Sequence, residues 1–168
     1  MNYATARIAA VEHGGRYFYQ CTPAELRAQG VPDAAFLPVV KAALRAEVDT
    51  QAEALRGLLI TAGTGQAMEY QESQAQAFAA LATPEPATAE RYKMLAATIG
   101  LDVDPTTGAP ATDVLGVARS IKAAYDAWET VGAAIKRARL SGKAAIDAAT
   151  DLETAAAAFA AVEWPALA

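Results

Sequence analysis

Apolar residues recur along most of this chain at alternating steps of three and four, the spacing of one helix face. The longest run is Val114, Val117, Ile121, Ala124, Trp128, Val131, Ile135 and Ala138. A seven-residue repeat held that long is the seam pattern of helices that wind around one another, and it predicts a helix from about Asp113 to Leu140. The flanks are mostly small: Ala118, Tyr125 and Gly132 on one side, Ser120, Ala127 and Ala134 on the other. A two-stranded coil usually carries charges there, so the pattern points to a wider helical bundle, within one chain or between chains.

Other helices follow from the same periodicity and from their stop signals. Thr22-Pro23-Ala24-Glu25 is a capped start for a short helix ending at Gly30. A second helix is expected from Pro38 to Leu59, with Leu44, Val48, Leu55 and Leu58 as its stripe and Gln51 as a polar interruption. Thr61 to Gly65 ends it, and a third runs from Gln66 to Leu81 with Met68, Tyr70, Ala75 and Phe78. Thr83-Pro84-Glu85-Pro86 breaks the chain, and Ala87 to Ile99 is expected to be helical until Gly100. Ser141-Gly142 is read as the break after the long helix. Thr150-Asp151-Leu152-Glu153 is read as a capping box opening a last helix with Leu152, Ala156, Phe159 and Val162, ending at Glu163-Trp164-Pro165.

The N-terminal stretch differs. Ala6 to Val11 and Arg16 to Tyr19 are β-compatible runs around His13-Gly14-Gly15, a hairpin signal. Tyr17, Phe18 and Tyr19 put apolar surface on both faces of the second run. Either one face packs on the helices and the other is merely amphipathic, or the outer face is a docking surface. The expected fold is therefore mainly α: an alanine-rich helical bundle with a long heptad-patterned helix and a small N-terminal β-hairpin. Residues 1–37 are expected to form the hairpin module with its short helix, and residues 38–168 the bundle. No internal repeat is evident.

Composition changes the picture in one respect. Hydrophobic residues make up 54% of the 168, but alanine supplies roughly a quarter of the chain, well above its usual share. Alanine favours helix and buries little area, so each contact stabilises less than a leucine contact would. Partners are expected to supply part of the stability, and a homo-oligomer is the simplest source. The net charge of -5, with only Lys136, Arg137 and Arg139 as a basic cluster, argues against a nucleic-acid partner. No apolar stretch approaches membrane-spanning length and no secretory signal is evident, so synthesis in a cytoplasm and no membrane span are expected. Cys21 is the single cysteine, which precludes an internal disulfide.

Candidate chemistry is sparse. Asp102, Asp104 and Thr106 alternate, and Asp113 stands where a twelfth-position carboxylate would, so the loop is a weak calcium candidate. Its glycine comes one residue late at Gly108, Pro105 stiffens it, and an ordinary Asp-Pro turn explains the same residues. Gly63-Thr64-Gly65-Gln66 lacks the lysine and hydroxyl residue of a phosphate loop. His13 and Cys21 lack any third orienting group, so a turn histidine and a small apolar thiol describe them better than a catalytic pair. No catalytic residue, cofactor or enzyme activity is expected. Trp128 reads as core on the seam, while Trp164 either caps the bundle or anchors a partner.

Two stretches resemble a family of small phage and prophage proteins encoded with tail fibres. One runs from Ile60-Thr61-Ala62-Gly63-Thr64-Gly65 to Tyr70. The other runs from Trp128 through Lys136-Arg137-Ala138-Arg139 and Lys143 to Thr150, closing on Trp164-Pro165. The resemblance spans Ile60 to Pro165. It implies a virion protein of the tail tip, baseplate or tail fibre, made in the host cytoplasm and partnered by other tail or fibre proteins, or else an assembly chaperone for them. It brings no catalytic residues. The expected partner-facing residues are Tyr17, Phe18, Tyr19, Val114, Val117, Ile121, Trp128, Val131, Ile135 and Trp164. A ligand-binding bundle or enzyme is the remote alternative and would need convergent polar groups in a pocket.

Overall fold

The computed structural model describes residues 7–59, 64–83 and 86–166. Among these the chain is mainly helical. The order is β1 (Ile8–His13), β2 (Arg16–Cys21), α1 (Pro23–Ala28), α2 (Asp33–Gly57), α3 (Thr64–Ala82), α4 (Lys93–Ala96), β3 (Val103–Asp104), β4 (Ala109–Pro110), α5 (Val114–Ala148) and α6 (Leu152–Ala160). The fold class expected from the pattern is the one observed: helices, one of them long, with a small N-terminal hairpin.

Contacts group the chain into two compact units, Met1–Arg56 with Ala134–Ala168, and Gly57–Ala133. The hairpin module and α2 thus fall in one unit rather than on either side of a boundary after residue 37. α5 contributes to both, through Ala133 to one and from Ala134 to the other.

In the first unit, β1 and β2 pair antiparallel with Val11 opposite Phe18 and His13 opposite Arg16. Gly14 and Gly15 have φ of 60° and 73°, the doubly left-handed turn that matches strand twist and that side chains resist. Ile8, Val11 and Phe18 join Leu26, Val31, Phe36, Val40, Leu44, Val48, Ile146 and Ala155 in one core. α1 starts at the expected capping box, Thr22 Oγ1 accepting from the Glu25 amide and Glu25 from the Thr22 amide.

Several boundaries move for identifiable reasons. α2 begins at Asp33, not Pro38. Pro38 removes the amide that would bond the Ala34 carbonyl, but both residues are exposed, where that loss is cheap. The α2 stripe continues from Val48 to buried Ala52, while Leu55 is half-buried and Leu58 lies exposed beyond the helix end. Ser141-Gly142 does not break α5, which runs on to Ala148. Gly142 is buried, and a Cβ there would sit 2.5 Å from Val162 Cγ2, so this glycine permits close approach rather than ending a helix. The α6 cap is Asp151 paired with Thr154, one residue later than expected, because the Asp151 carboxylate accepts from the Thr154 amide at 2.8 Å.

In the second unit, Ala77 and Ala80 of α3 pack with Tyr92, Leu95, Ala111, Val114, Val117 and Ala118. The expected helix from Ala87 to Ile99 shrinks to α4. Tyr92 leaves the helical region (φ -122°, ψ 68°) while its side chain is buried, and the chain past Ala96 tightens into three-residue turns. Gly100, at φ 85°, then donates to the Ala111 carbonyl. The loop read from Asp102 to Pro110 contains the short pair β3–β4, Asp104 opposite Ala109. Ile60–Gly63, part of the first resemblance stretch, and Pro84-Glu85 of the breaker lie outside the described residues. Among the described residues no helix is long and apolar enough to cross a membrane.

Candidate functional site

The calcium candidate resolves into a structural knot. Asp104 is buried, and its two carboxylate oxygens accept from Arg119 Nε at 3.0 Å and Nη2 at 2.5 Å. Thr106 adds its amide at 2.9 Å and its hydroxyl at 2.7 Å. The Arg119 fork, then the Thr106 donors, hold the Asp104 carboxyl well below the usual carboxylate range against the opposing effect of burial. A bidentate guanidinium takes the lone pairs a cation would need. Asp113 is equally committed, accepting from the Gly116 amide at 2.7 Å as a cap for α5. No group of three or more His, Cys, Asp or Glu suited to a metal occurs among the described residues. His13 is exposed at its turn, and the Cys21 thiol donates to the Tyr19 carbonyl at 3.4 Å.

The expected interface residues separate into three kinds. On β2 the side chains alternate: Phe18 enters the core, with the Arg16 guanidinium 5.3 Å from its ring centre. Tyr17 and Tyr19 stand 64% and 66% exposed on the other face, their rings 6.2 Å apart and nearly parallel. Towards its turn the hairpin therefore has a packed side at Val11 and Phe18 and an exposed aromatic side at Tyr17 and Tyr19, while at its open end Ile8 and Cys21 pack on the core. On α5, Val114, Val117 and Ile135 are buried and belong to the interior. Ile121 and Val131 are half-buried, and Trp128 is 41% exposed, so the expectation that Trp128 is core is corrected. Its ring lies along its own helix, 5.9 Å from the Tyr125 ring and in contact with the surface that Gly132 leaves open. Trp164 caps rather than projects. It packs against the first unit's core, and its Nε1 donates to Gln51 Oε1 at 3.0 Å. That bond also explains the polar interruption at Gln51.

Sequence reasoning missed other exposed apolar side chains. Ile99, Leu101 and Val103 are exposed around the Gly100 turn, and Leu58 and Leu140 are exposed too. The alternation Ile99-x-Leu101-x-Val103 is a signal that could have found the first group. Met68, Tyr70 and Phe78, the large apolar side chains named for the third helix, are exposed on α3. Phe78 makes an edge-on contact with Tyr125 at 5.4 Å, and Lys122 Nζ lies 6.0 Å from its centre.

A shallow groove within the first unit is lined by Ala138, Ser141, Ala145, Val162, Trp164 and Pro165, with Arg137 and Glu163 also on its wall. Its surface is largely alanine and aliphatic, and it gathers no set of polar groups able to hold a reacting atom. The arrangement can therefore bind through shape and apolar contact, and it offers no acid–base pair. Compared with family models, with curated proteins and with solved structures, the chain matches none.

Proposed function

We propose that this chain is an assembly protein that acts through protein–protein contact, as a structural component of a phage tail tip, baseplate or tail fibre. The observation that carries the assembly part is the number of large apolar side chains left bare on well-formed elements. Tyr17, Tyr19, Met68, Leu101 and Val103 are all more than half exposed. Scattered single residues need no explanation, but Tyr17 with Tyr19 share one hairpin face and Leu101 with Val103 flank one turn. Each is a surface that burial against a partner would stabilise by about 25 cal/mol per Å². The tail setting is supported by the resemblance of Ile60–Tyr70 and Trp128–Pro165 to tail-fibre-associated proteins, and by that alone.

The test is the protein content of particles purified from a lysate that expresses the chain, by mass spectrometry at fixed stoichiometry against a major tail protein. A constant ratio through repeated gradient purification supports a structural component. Abundance in the lysate with loss from the particle replaces this reading with the second one, an assembly chaperone that binds transiently. Absence from every tail intermediate overturns both.

A further inference from the structure

The chain holds a single Asp–Pro peptide bond, Asp104–Pro105, and the turn from β3 to β4 folds around it. The carbonyl oxygen of that bond accepts two backbone amides, Gly108 N at 2.8 Å and Thr107 N at 3.1 Å, with Thr107 Oγ1 at 3.5 Å. These bonds close the turn. Two amides converging on one carbonyl oxygen also polarise its carbon and stabilise the negative charge that builds on the oxygen when a nucleophile adds. On the other side of the bond Pro105 is exposed, and its nitrogen carries no hydrogen. The Asp104 carboxylate is attached so that attack on its own carbonyl carbon closes a five-membered ring.

The carboxylate is held back from that attack. Arg119 takes both of its oxygens, Nε on Oδ1 at 3.0 Å and Nη2 on Oδ2 at 2.5 Å. The Thr106 amide and hydroxyl hold Oδ1 at 2.9 and 2.7 Å. Gly116 of α5 walls off the other oxygen, so closely that a Cβ there would lie 3.1 Å from Oδ2. Charge-assisted bonds of this kind occupy the lone pairs a nucleophile needs.

We propose that Asp104–Pro105 is a latent self-cleavage site, which the Arg119 fork holds closed. Once the fork is released, a carboxylate oxygen of Asp104 adds to the Asp104 carbonyl carbon, and the charge on the carbonyl oxygen is met by the Thr107 and Gly108 amides. The bond to the Pro105 nitrogen then breaks. That nitrogen takes a proton from solvent and leaves as a secondary amine, and Asp104 is left as a cyclic anhydride. Water opens the anhydride to the two carboxyl groups of a C-terminal aspartate, so the net change is hydrolysis of one peptide bond. Because Pro105 has no N–H, the competing ring closure of the Asp104 side chain onto the following nitrogen is barred. The fork joins β3 to α5, so displacement of one from the other is what opens the site.

The test is the intact mass of purified full-length protein held at about pH 5, where a free aspartate is ionised. Wild type should stay whole. Arg119→Ala should release residues 1–104 and 105–168 at least about tenfold faster than wild type, and about tenfold faster folded than in concentrated urea, where the two amides no longer converge. Folding is checked by circular dichroism. Arg119→Lys, which keeps the charge but offers no fork, should cleave at an intermediate rate, and it carries the comparison with urea if Arg119→Ala does not fold. In the Arg119→Ala background, Asp104→Ala should abolish cleavage by removing the nucleophile, and Pro105→Ala should suppress it by replacing the leaving group. Whole chains in both Arg119 variants, equal rates folded and in urea, or fragments that persist after Asp104→Ala would each overturn the proposal.

Discussion

Gly132 and Gly142 share α5 but meet opposite surroundings. A Cβ at Gly132 would lie 3.7 Å from the nearest Trp128 ring atom, an ordinary contact, while one at Gly142 would lie 2.5 Å from Val162 Cγ2. Gly132→Ala should therefore gain about 0.5–1 kcal/mol from helix propensity. Gly142→Ala should lose stability, since overpacking against a stiff β-branched side chain costs about 1–3 kcal/mol. Val162→Ala should relieve most of that loss, and urea midpoints of the single and double variants measure the coupling. Tyr92 presents the converse case. Its ring is buried in the second unit, and its hydroxyl has no hydrogen-bond partner among the described residues. A buried hydroxyl without a partner costs about 1–3 kcal/mol, so Tyr92→Phe should be neutral or stabilising, whereas the same change at a bonded tyrosine would destabilise. None of these differences is legible in the sequence, where glycine and tyrosine look the same wherever they fall.

At the scale of elements, ion pairs tie helix to helix. Asp49 of α2 accepts from Arg139 Nε and Lys143 Nζ of α5, each at 2.6 Å. Arg27 Nη2 pairs with Asp33 at 2.6 Å between α1 and α2. Lys143 and then Arg139 lower the Asp49 pKa, and Arg27 lowers that of Asp33. With Asp104 also lowered, all three carboxylates bind protons less readily folded than unfolded. Their contribution is thus complete above the unfolded value of about 3.9 and is lost as the pH falls through the lower folded values. The melting temperature should hold above about pH 5 and decline on acidification below about pH 4. Asp104→Asn should lower it at neutral pH and flatten the acid decline. Helix starts are a further element-scale matter. Thr22→Ala removes half of the α1 capping box and should cost about 1 kcal/mol, read as a shift in the thermal midpoint.

The two units differ in what fills them. The first has Phe36, Leu26, Leu44 and Ile146 fully buried, whereas half of the second unit's buried cluster is Ala77, Ala80, Ala111 and Ala118. Alanine contributes little area, so the second unit should open at lower free energy. In hydrogen exchange, amides of α3 and of α5 before Ala133 should exchange ahead of those of α2 around Leu44. Leu44→Ala should cost about 2–5 kcal/mol, while Leu58→Ser, at an exposed position, should stay within about 0.5 kcal/mol.

The sequence by itself determined the helical class, the hairpin with its Gly14-Gly15 turn, the α1 cap and the existence of α5, because each depends on local periodicity or on residues a few positions apart. It did not determine which of those apolar residues would be covered. Trp128 and Val117 occupy the same heptad seam, yet one is exposed and the other buried, since only the path of the rest of the chain decides whether a neighbour arrives. The same holds for Gly142, read locally as a stop and placed by Val162 as a close contact. It holds for Asp104, locally a weak calcium candidate or part of an ordinary Asp-Pro turn, and placed by Arg119 as half of an ion pair. Short-range rules assign elements, and long-range packing assigns partners.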